Sequence, residues 1–152
     1  MKIRNLVSAL VIALTLGNTA AMANDAETEV LKTVHGMWDQ ARAANLDGMF
    51  AGAPSEHTYV MGGIPLWSKQ ETLELYQVAF DGVARQDIQA SREKVTMLAD
   101  DVAVYMADMS YAQFDANGNK LEQGPYAITV ILKKRDGQWL NMHTHQSFPA
   151  QQ

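Results

Sequence analysis

Two histidines, His143 and His145, stand two positions apart near the end of this 152-residue chain. In an extended segment that spacing turns both imidazoles to one face, where they could act on one ligand as general acid and base or share a metal. Two are too few to close a metal site, and His35 and His57 have no spacing that recruits them, so no metal and no other cofactor is assigned. The alternative is structural hydrogen bonding to Ser147 or to the sheet edge. Asp108 follows the parity of Val102, Val104 and Met106, which would turn a carboxylate toward a covered face and raise its pKa into the range of a base. Its alternative is a strand end already in solvent. His143, His145 and Asp108 are the candidate catalytic residues. Trp38, Tyr59, Trp67, Tyr76, Tyr105, Tyr111 and Tyr126 suit a ligand pocket, because Tyr and Trp join a large apolar surface to one polar handle, although most of them would serve equally as ordinary core.

The elements that must position these groups follow from periodicity. Val30, Leu31, Val34, Met37, Trp38 and Ala41 form a helical stripe, and Asn24 with Glu27 offers a capping box at its start. Leu46, Met49 and Phe50 suggest a short second helix, ended by Ala53-Pro54-Ser55. Segments 57–61 and 64–67 flank Gly62-Gly63 and read as a tight hairpin, with Pro65 marking an edge strand. Ser68 and Glu71 form a second capping box before the apolar face of Leu73, Tyr76, Ala79, Phe80 and Val83.

From Asp87 onward the period is two, broken by Asp100-Asp101, Asp115-Ala116-Asn117-Gly118 and Asp136-Gly137, so four long antiparallel strands are expected. The apolar set shifts from Ile88 and Ala90 to Val95 and Met97, a change of parity that a β-bulge would produce. Val102, Val104 and Met106, then Tyr126, Ile128, Val130 and Leu132, then Leu140 and Met142 give the sheet one apolar face. The helices are its only available cover. The fold class is α+β.

Lys2 and Arg4 precede an apolar run from Leu6 to Leu16, and Ala21-Met22-Ala23 supplies the small-x-small pattern of a cleavable secretory signal. The run is too short to span a membrane. Residues 1–23 are therefore expected to be removed, leaving residues 24–152 as one domain, periplasmic or secreted and free of the membrane. The whole chain has no cysteine and a formal charge of −5; loss of two cationic residues makes it −7. That acidity argues against nucleic acid as a partner, and Lys133-Lys134-Arg135 beside a turn reads as a solvated patch.

The order of elements resembles the cone-shaped fold of the nuclear transport factor 2-like superfamily. The ending Asp136-Gly137-Gln138-Trp139, three further residues, then His143-Thr144-His145-Gln146-Ser147 resembles SnoaL-like proteins and is similar to the association domain of calcium/calmodulin-dependent kinase II. That resemblance implies a curved antiparallel sheet wrapped around N-terminal helices, with a pocket for a small, largely apolar molecule between them, and it makes Tyr59, Trp67 and Tyr126, then Trp38 and Tyr105, the candidate ligand-binding residues. Isomerase, cyclase and dehydratase chemistry occurs in the superfamily, so turnover stays open. It also implies a homodimer or higher homo-oligomer, for which Met97, Met109 and Ile131, on the outward parity of their strands, are candidate contact residues; the alternative reading is a non-catalytic self-association module. The kinase domain's pocket arginine falls at Val130 here. Thr58-Tyr59-Val60-Met61-Gly62-Gly63 offers no carboxylate where ketosteroid isomerase has its base.

Overall fold

The computed structural model describes the backbone of residues 8–149 and the side chains of residues 25–149. Most of the expected signal, residues 1–7 and every side chain of residues 8–23, lies outside the described residues. Helix α1 runs Ser8–Arg42 and α2 Leu46–Met49; strands β1 (Thr58–Met61) and β2 (Ile64–Leu66) precede α3 (Lys69–Ala79); β3 (Arg85–Ala99), β4 (Val102–Phe114), β5 (Lys120–Arg135) and β6 (Gln138–Ser147) follow. The chain is helical on both sides of Asn24, so the capping box proposed there does not begin α1. No helix among the described residues is long and apolar enough to cross a membrane.

The six strands form one sheet in the order β2-β1-β6-β5-β4-β3. All neighbours are antiparallel except β1 and β6, which run parallel with Val60 opposite His145. That pairing makes the sheet mixed rather than purely antiparallel. It is long-range and leaves no local signal, whereas the hairpins announce themselves: Gly62 and Gly63 have φ of 55° and 89°, and Asp136 and Gly137 of 51° and 78°, as two-residue turns matching strand twist require. Pro65 lies on the edge strand β2, where its missing N–H leaves no rung broken. The second capping box forms: Ser68 Oγ accepts from the Glu71 amide at 3.1 Å, and the Glu71 carboxylate accepts from the Trp67 amide at 2.8 Å.

The parity change in β3 is a bulge, with Ser91 unpaired between Ala90 opposite Met109 and Arg92 opposite Asp108. A second bulge at Met142 separates the pairs Leu132–Asn141 and Ile131–His143. On β5 the covered face holds Tyr126, Ile128, Val130 and Leu132, as expected. On β4 the expectation was inverted. Ala103, Tyr105, Ala107 and Met109 face the helices, while Met106 is 55% exposed and Asp108 lies outside, paired with Arg92 at 2.9 Å. Both parities of β4 carry apolar groups, so alternation alone does not choose between them. What chooses is α1: small residues at 103 and 107 leave room for the helix, and the Tyr105 ring packs on Trp38 at 6.3 Å.

Similar reasoning corrects β6. Trp139, Asn141 and Thr144 are buried, whereas Leu140 and Met142 are only half-buried. The inward polar pair satisfies itself, Asn141 Nδ2 donating to Thr144 Oγ1 at 2.9 Å, and the Asn141 amide donates to the Gly52 carbonyl. Met97 and Met109, expected outside, pack into the core; Ile131 is outside, 37% exposed. Each member of the basic run has an acidic partner: Lys133 with Asp101, Lys134 with Glu29, Arg135 with Glu56.

His57 is fully buried against the Phe50 and Tyr59 rings, and neither ring nitrogen has a hydrogen-bond partner among the described residues. Burial, with His143 and Lys69 nearby, pushes its pKa down from 6.5 to about 4. The unfolded chain therefore binds a proton that the folded chain refuses between those values. Stability from this group is complete above the unfolded pKa and falls as pH drops through the window toward about 4, by a total of about 3 kcal/mol; His143, also lowered by burial and by His145, adds to the fall in the same sense. His57→Phe should keep the core filled and flatten most of this loss in urea titrations between pH 6.5 and 5.5, above the range where most carboxylates titrate. An unchanged slope would place the acid sensitivity elsewhere.

Candidate functional site

Helix α1 lies on the sheet with Val30, Val34, Trp38 and Ala41 buried, and it is held at two points. Glu29 accepts from Lys134 Nζ and from Trp139 Nε1, and Arg42 donates to the Ile88 carbonyl through Nε and Nη2 at 3.1 and 2.9 Å. Beyond Arg42 the ends of β4 and β5 continue over α3, and the space left between them is a cavity of about 560 Å³.

Its walls are largely aromatic. Trp38 comes from α1, Tyr59 from β1, Tyr76 and Phe80 from the end of α3, Tyr111 and Tyr126 from β4 and β5, and Phe148 from the segment after β6. The rings support one another, with Tyr59 and Tyr76 at 5.7 Å, Tyr76 and Phe80 at 5.5 Å, and Tyr111 and Tyr126 at 5.8 Å between centroids. Four glutamines, Gln86, Gln113, Gln123 and Gln146, also line the cavity, and Glu122 is the one charged lining residue.

The polar groups fall into two chains. At one end the Tyr59 hydroxyl donates to Gln146 Oε1 at 2.7 Å and lies 2.7 Å from the Tyr76 hydroxyl, which also reaches Gln146 Oε1 at 3.3 Å. At the other, Gln113 Nε2 donates to Gln86 Oε1 and Gln86 Nε2 to the Ala41 carbonyl, each at 3.0 Å. Glu122 accepts from the Tyr111 hydroxyl at 2.7 Å. The Tyr126 hydroxyl has no hydrogen-bond partner among the described residues, although its ring packs on Tyr111 and Phe148.

Burial sets the protonation states. It raises the pKa of Tyr59 and Tyr76 far above the phenolic value, and of Tyr126 as well, with the neighbouring phenols adding to the effect at Tyr59 and Tyr126. Burial and the Glu122 carboxylate push Tyr111 up to about 12. The wall tyrosines are therefore neutral donors at any physiological pH rather than bases.

Of the residues singled out in the sequence, Tyr59, Tyr126 and Trp38 line the cavity together. Tyr105 is not a lining residue: it is buried with its ring on Trp38 and its hydroxyl committed to Glu93 at 2.9 Å. Trp67 is 72% exposed at the end of the hairpin. His143 and His145 do share a face, but it is the outer one. His143 stands between Ile131 and Thr58, bonded through Nδ1 to Thr58 Oγ1 at 2.8 Å, and His145 between Thr129 and Val60. Asp108 is on that outer face too, so the covered position expected for it does not hold. Among the described residues no group of three or more His, Asp or Glu could hold a metal. The glutamines were missed; their one sequence signal was a polar residue on a covered parity, two positions from Ile88, Tyr111 and Thr144.

The family model of the SnoaL-like domain matches residues 28–151. No curated protein sequence is significantly similar to the chain. Solved structures share the fold at low identity. A ketosteroid isomerase-like protein of Erwinia carotovora is 16% identical with a TM-score of 0.69, covering 84% of this chain and 99% of that one. A nuclear transport factor 2-like protein of unknown function from Pseudomonas putida is 15% identical with a TM-score of 0.71, covering 84% and 89%. The association domain of calcium/calmodulin-dependent kinase II from C. elegans is 15% identical with a TM-score of 0.64, covering 79% and 93%.

Two conservative substitutions separate the structural phenols from the unpartnered one. Tyr59→Phe removes the central hydroxyl of a buried chain and should cost about 1–3 kcal/mol in urea unfolding. Tyr126→Phe deletes a hydroxyl with no protein partner and should change stability by less than about 0.5 kcal/mol. Equal losses would mean that the Tyr126 hydroxyl is bonded within the fold.

Proposed function

The chain belongs to the SnoaL-like family of nuclear transport factor 2-like proteins, and we propose that it binds a small, uncharged, largely apolar molecule in the cavity between its helices and its curved sheet. The observation that carries this reading is the lining: seven aromatic rings, four glutamines and no cation. An anionic ligand entering such a site would lose its hydration without gaining a counter-charge. A mainly apolar one gains from every ring it covers and needs only the few polar contacts that fix its orientation.

Binding is favoured over turnover by what the walls lack. The tyrosines are held neutral, His143, His145 and Asp108 are on the far face of the sheet, and the one lining carboxylate, Glu122, is at the mouth with an oxygen committed to Tyr111. Any acid–base step in the cavity would run through Glu122. The ketosteroid isomerase-like relative shows that the fold is shared with proteins named for chemistry, and fold alone transfers none of it.

A second reading rests on a separate observation. The outer face of β4 and β5 sets Val104 opposite Ile131 and Met106 opposite Thr129, an uncovered apolar strip bounded by the Arg92–Asp108 and Lys133–Asp101 pairs. We propose that a second copy of the chain covers it, in keeping with the neighbour named as an association domain. The leading segment is read as an export signal, placing the working form in the periplasm or outside the cell.

Native mass spectrometry of the protein recovered from its own cell envelope tests these readings together. The expected species begins at Asn24, is at least dimeric, and carries a neutral molecule lost on collisional activation. A chain retaining Met1 would contradict export, and a protein that never retains or takes up a neutral aromatic molecule would contradict the cavity reading. Met106→Glu with Ile131→Lys should yield monomers in light scattering with the fold intact; an unaltered assembly would move the contact off this face.

A further inference from the structure

The hydrogen-bond inventory of the cavity limits what its occupant can present. Gln146 carries one acceptor oxygen and two N–H donors. Its oxygen is taken by Tyr59 at 2.7 Å and approached by Tyr76 at 3.3 Å, and a phenol bonded on that side fixes which way the amide is turned. The donors on Nε2 remain, on a side chain that lines the cavity and with no partner among the described residues. Gln146 is opposite Ile128 across the β5–β6 pair. Tyr126, two residues before Ile128 and on the same face, is therefore its diagonal neighbour, about 7–8 Å away at the backbone, and its hydroxyl is unpartnered too.

Resting on the cavity reading above, we propose that the site recognises its occupant through one neutral hydrogen-bond acceptor, in its simplest form a carbonyl oxygen, received jointly by Gln146 Nε2 and the Tyr126 hydroxyl. The Tyr59 and Tyr76 hydroxyls are positioning groups: they bond the Gln146 oxygen, not the ligand, and act by holding the amide. The rest of the molecule is apolar and lies against the rings. At the far end Gln113 spends one of its two N–H donors on Gln86 and keeps Oε1 free, so an occupant long enough to reach it gains from a hydroxyl or amine there.

Three tricyclic probes of nearly equal size separate these terms: fluorene, 9-fluorenone and 9-fluorenecarboxylate, titrated into the mature protein by calorimetry. Fluorenone should bind about tenfold more tightly than fluorene, the increment of one to two net hydrogen bonds, and the carboxylate least well. Gln146→Met should bring fluorenone down to the affinity of fluorene, and Tyr126→Phe should remove part of the preference. Should Gln146→Met fail to fold, the parent's ratio and Tyr126→Phe still decide. Equal affinity for fluorene and fluorenone, or tightest binding of the carboxylate, overturns the acceptor inference and leaves the cavity reading standing. Failure of all three to bind overturns the cavity reading itself.

Discussion

The structure depends on where its helical cover stops. Strands of thirteen to sixteen residues bury one face, and α1 leaves that face at Arg42. Where α1 is present the core is dry and tight, with Val30, Val34, Ala103, Val130 and Leu132 fully buried. Where α1 stops at Arg42, the sheet still has an apolar face to cover, and α3 with the segment after β6 covers only its margin. The cavity is what remains. Its aromatic lining follows from the same constraint, because long rings can bridge a gap that aliphatic side chains would leave open, and they keep contact with one another while doing so.

The bulges at Ser91 and Met142 matter because they let the sheet follow two covers at once. A straight strand would keep one parity inward along its whole length; each bulge resets it. In β6 the reset makes both Asn141 and Thr144 inward, then brings Gln146 into the cavity while sending His143 and His145 outward. The pair that looks most chemical in the sequence is thereby placed on the face away from the cavity, and a glutamine that looks like filler is placed where the hydrogen bonding is.

Legibility in the sequence followed how local each feature is. The Gly62-Gly63 and Asp136-Gly137 turns, the Ser68–Glu71 cap, the edge position of Pro65, the bulge in β3 and the covered parity of β5 are each specified by a few neighbouring residues, and all were readable. The parity of β4 was not, because Val102, Val104 and Met106 alternate as well as Ala103, Tyr105 and Met109 do, and the choice is made by a helix sixty residues away. The bulge at Met142 carries no composition signal, and neither does the parallel pairing of β1 with β6. Of the cavity, Trp38, Tyr59 and Tyr126 were found because aromatic residues declare themselves. Gln86, Gln113 and Gln146 were not, because an amide on a covered face reads as a break in a pattern until its partner is known.

The central claim is that the uncovered end of the sheet is a binding compartment and not merely an imperfection of packing. Fluorescence titration of the neutral dye Nile red into the mature protein and into an Ala79→Trp variant addresses it directly. Ala79 ends α3 on the cavity wall with its side chain exposed, so a larger residue there closes the mouth without entering the core. The account predicts saturable binding of about one dye per chain to the parent, and its loss in the variant with circular dichroism unchanged. Equal binding to both proteins would put the dye outside the cavity and contradict the account.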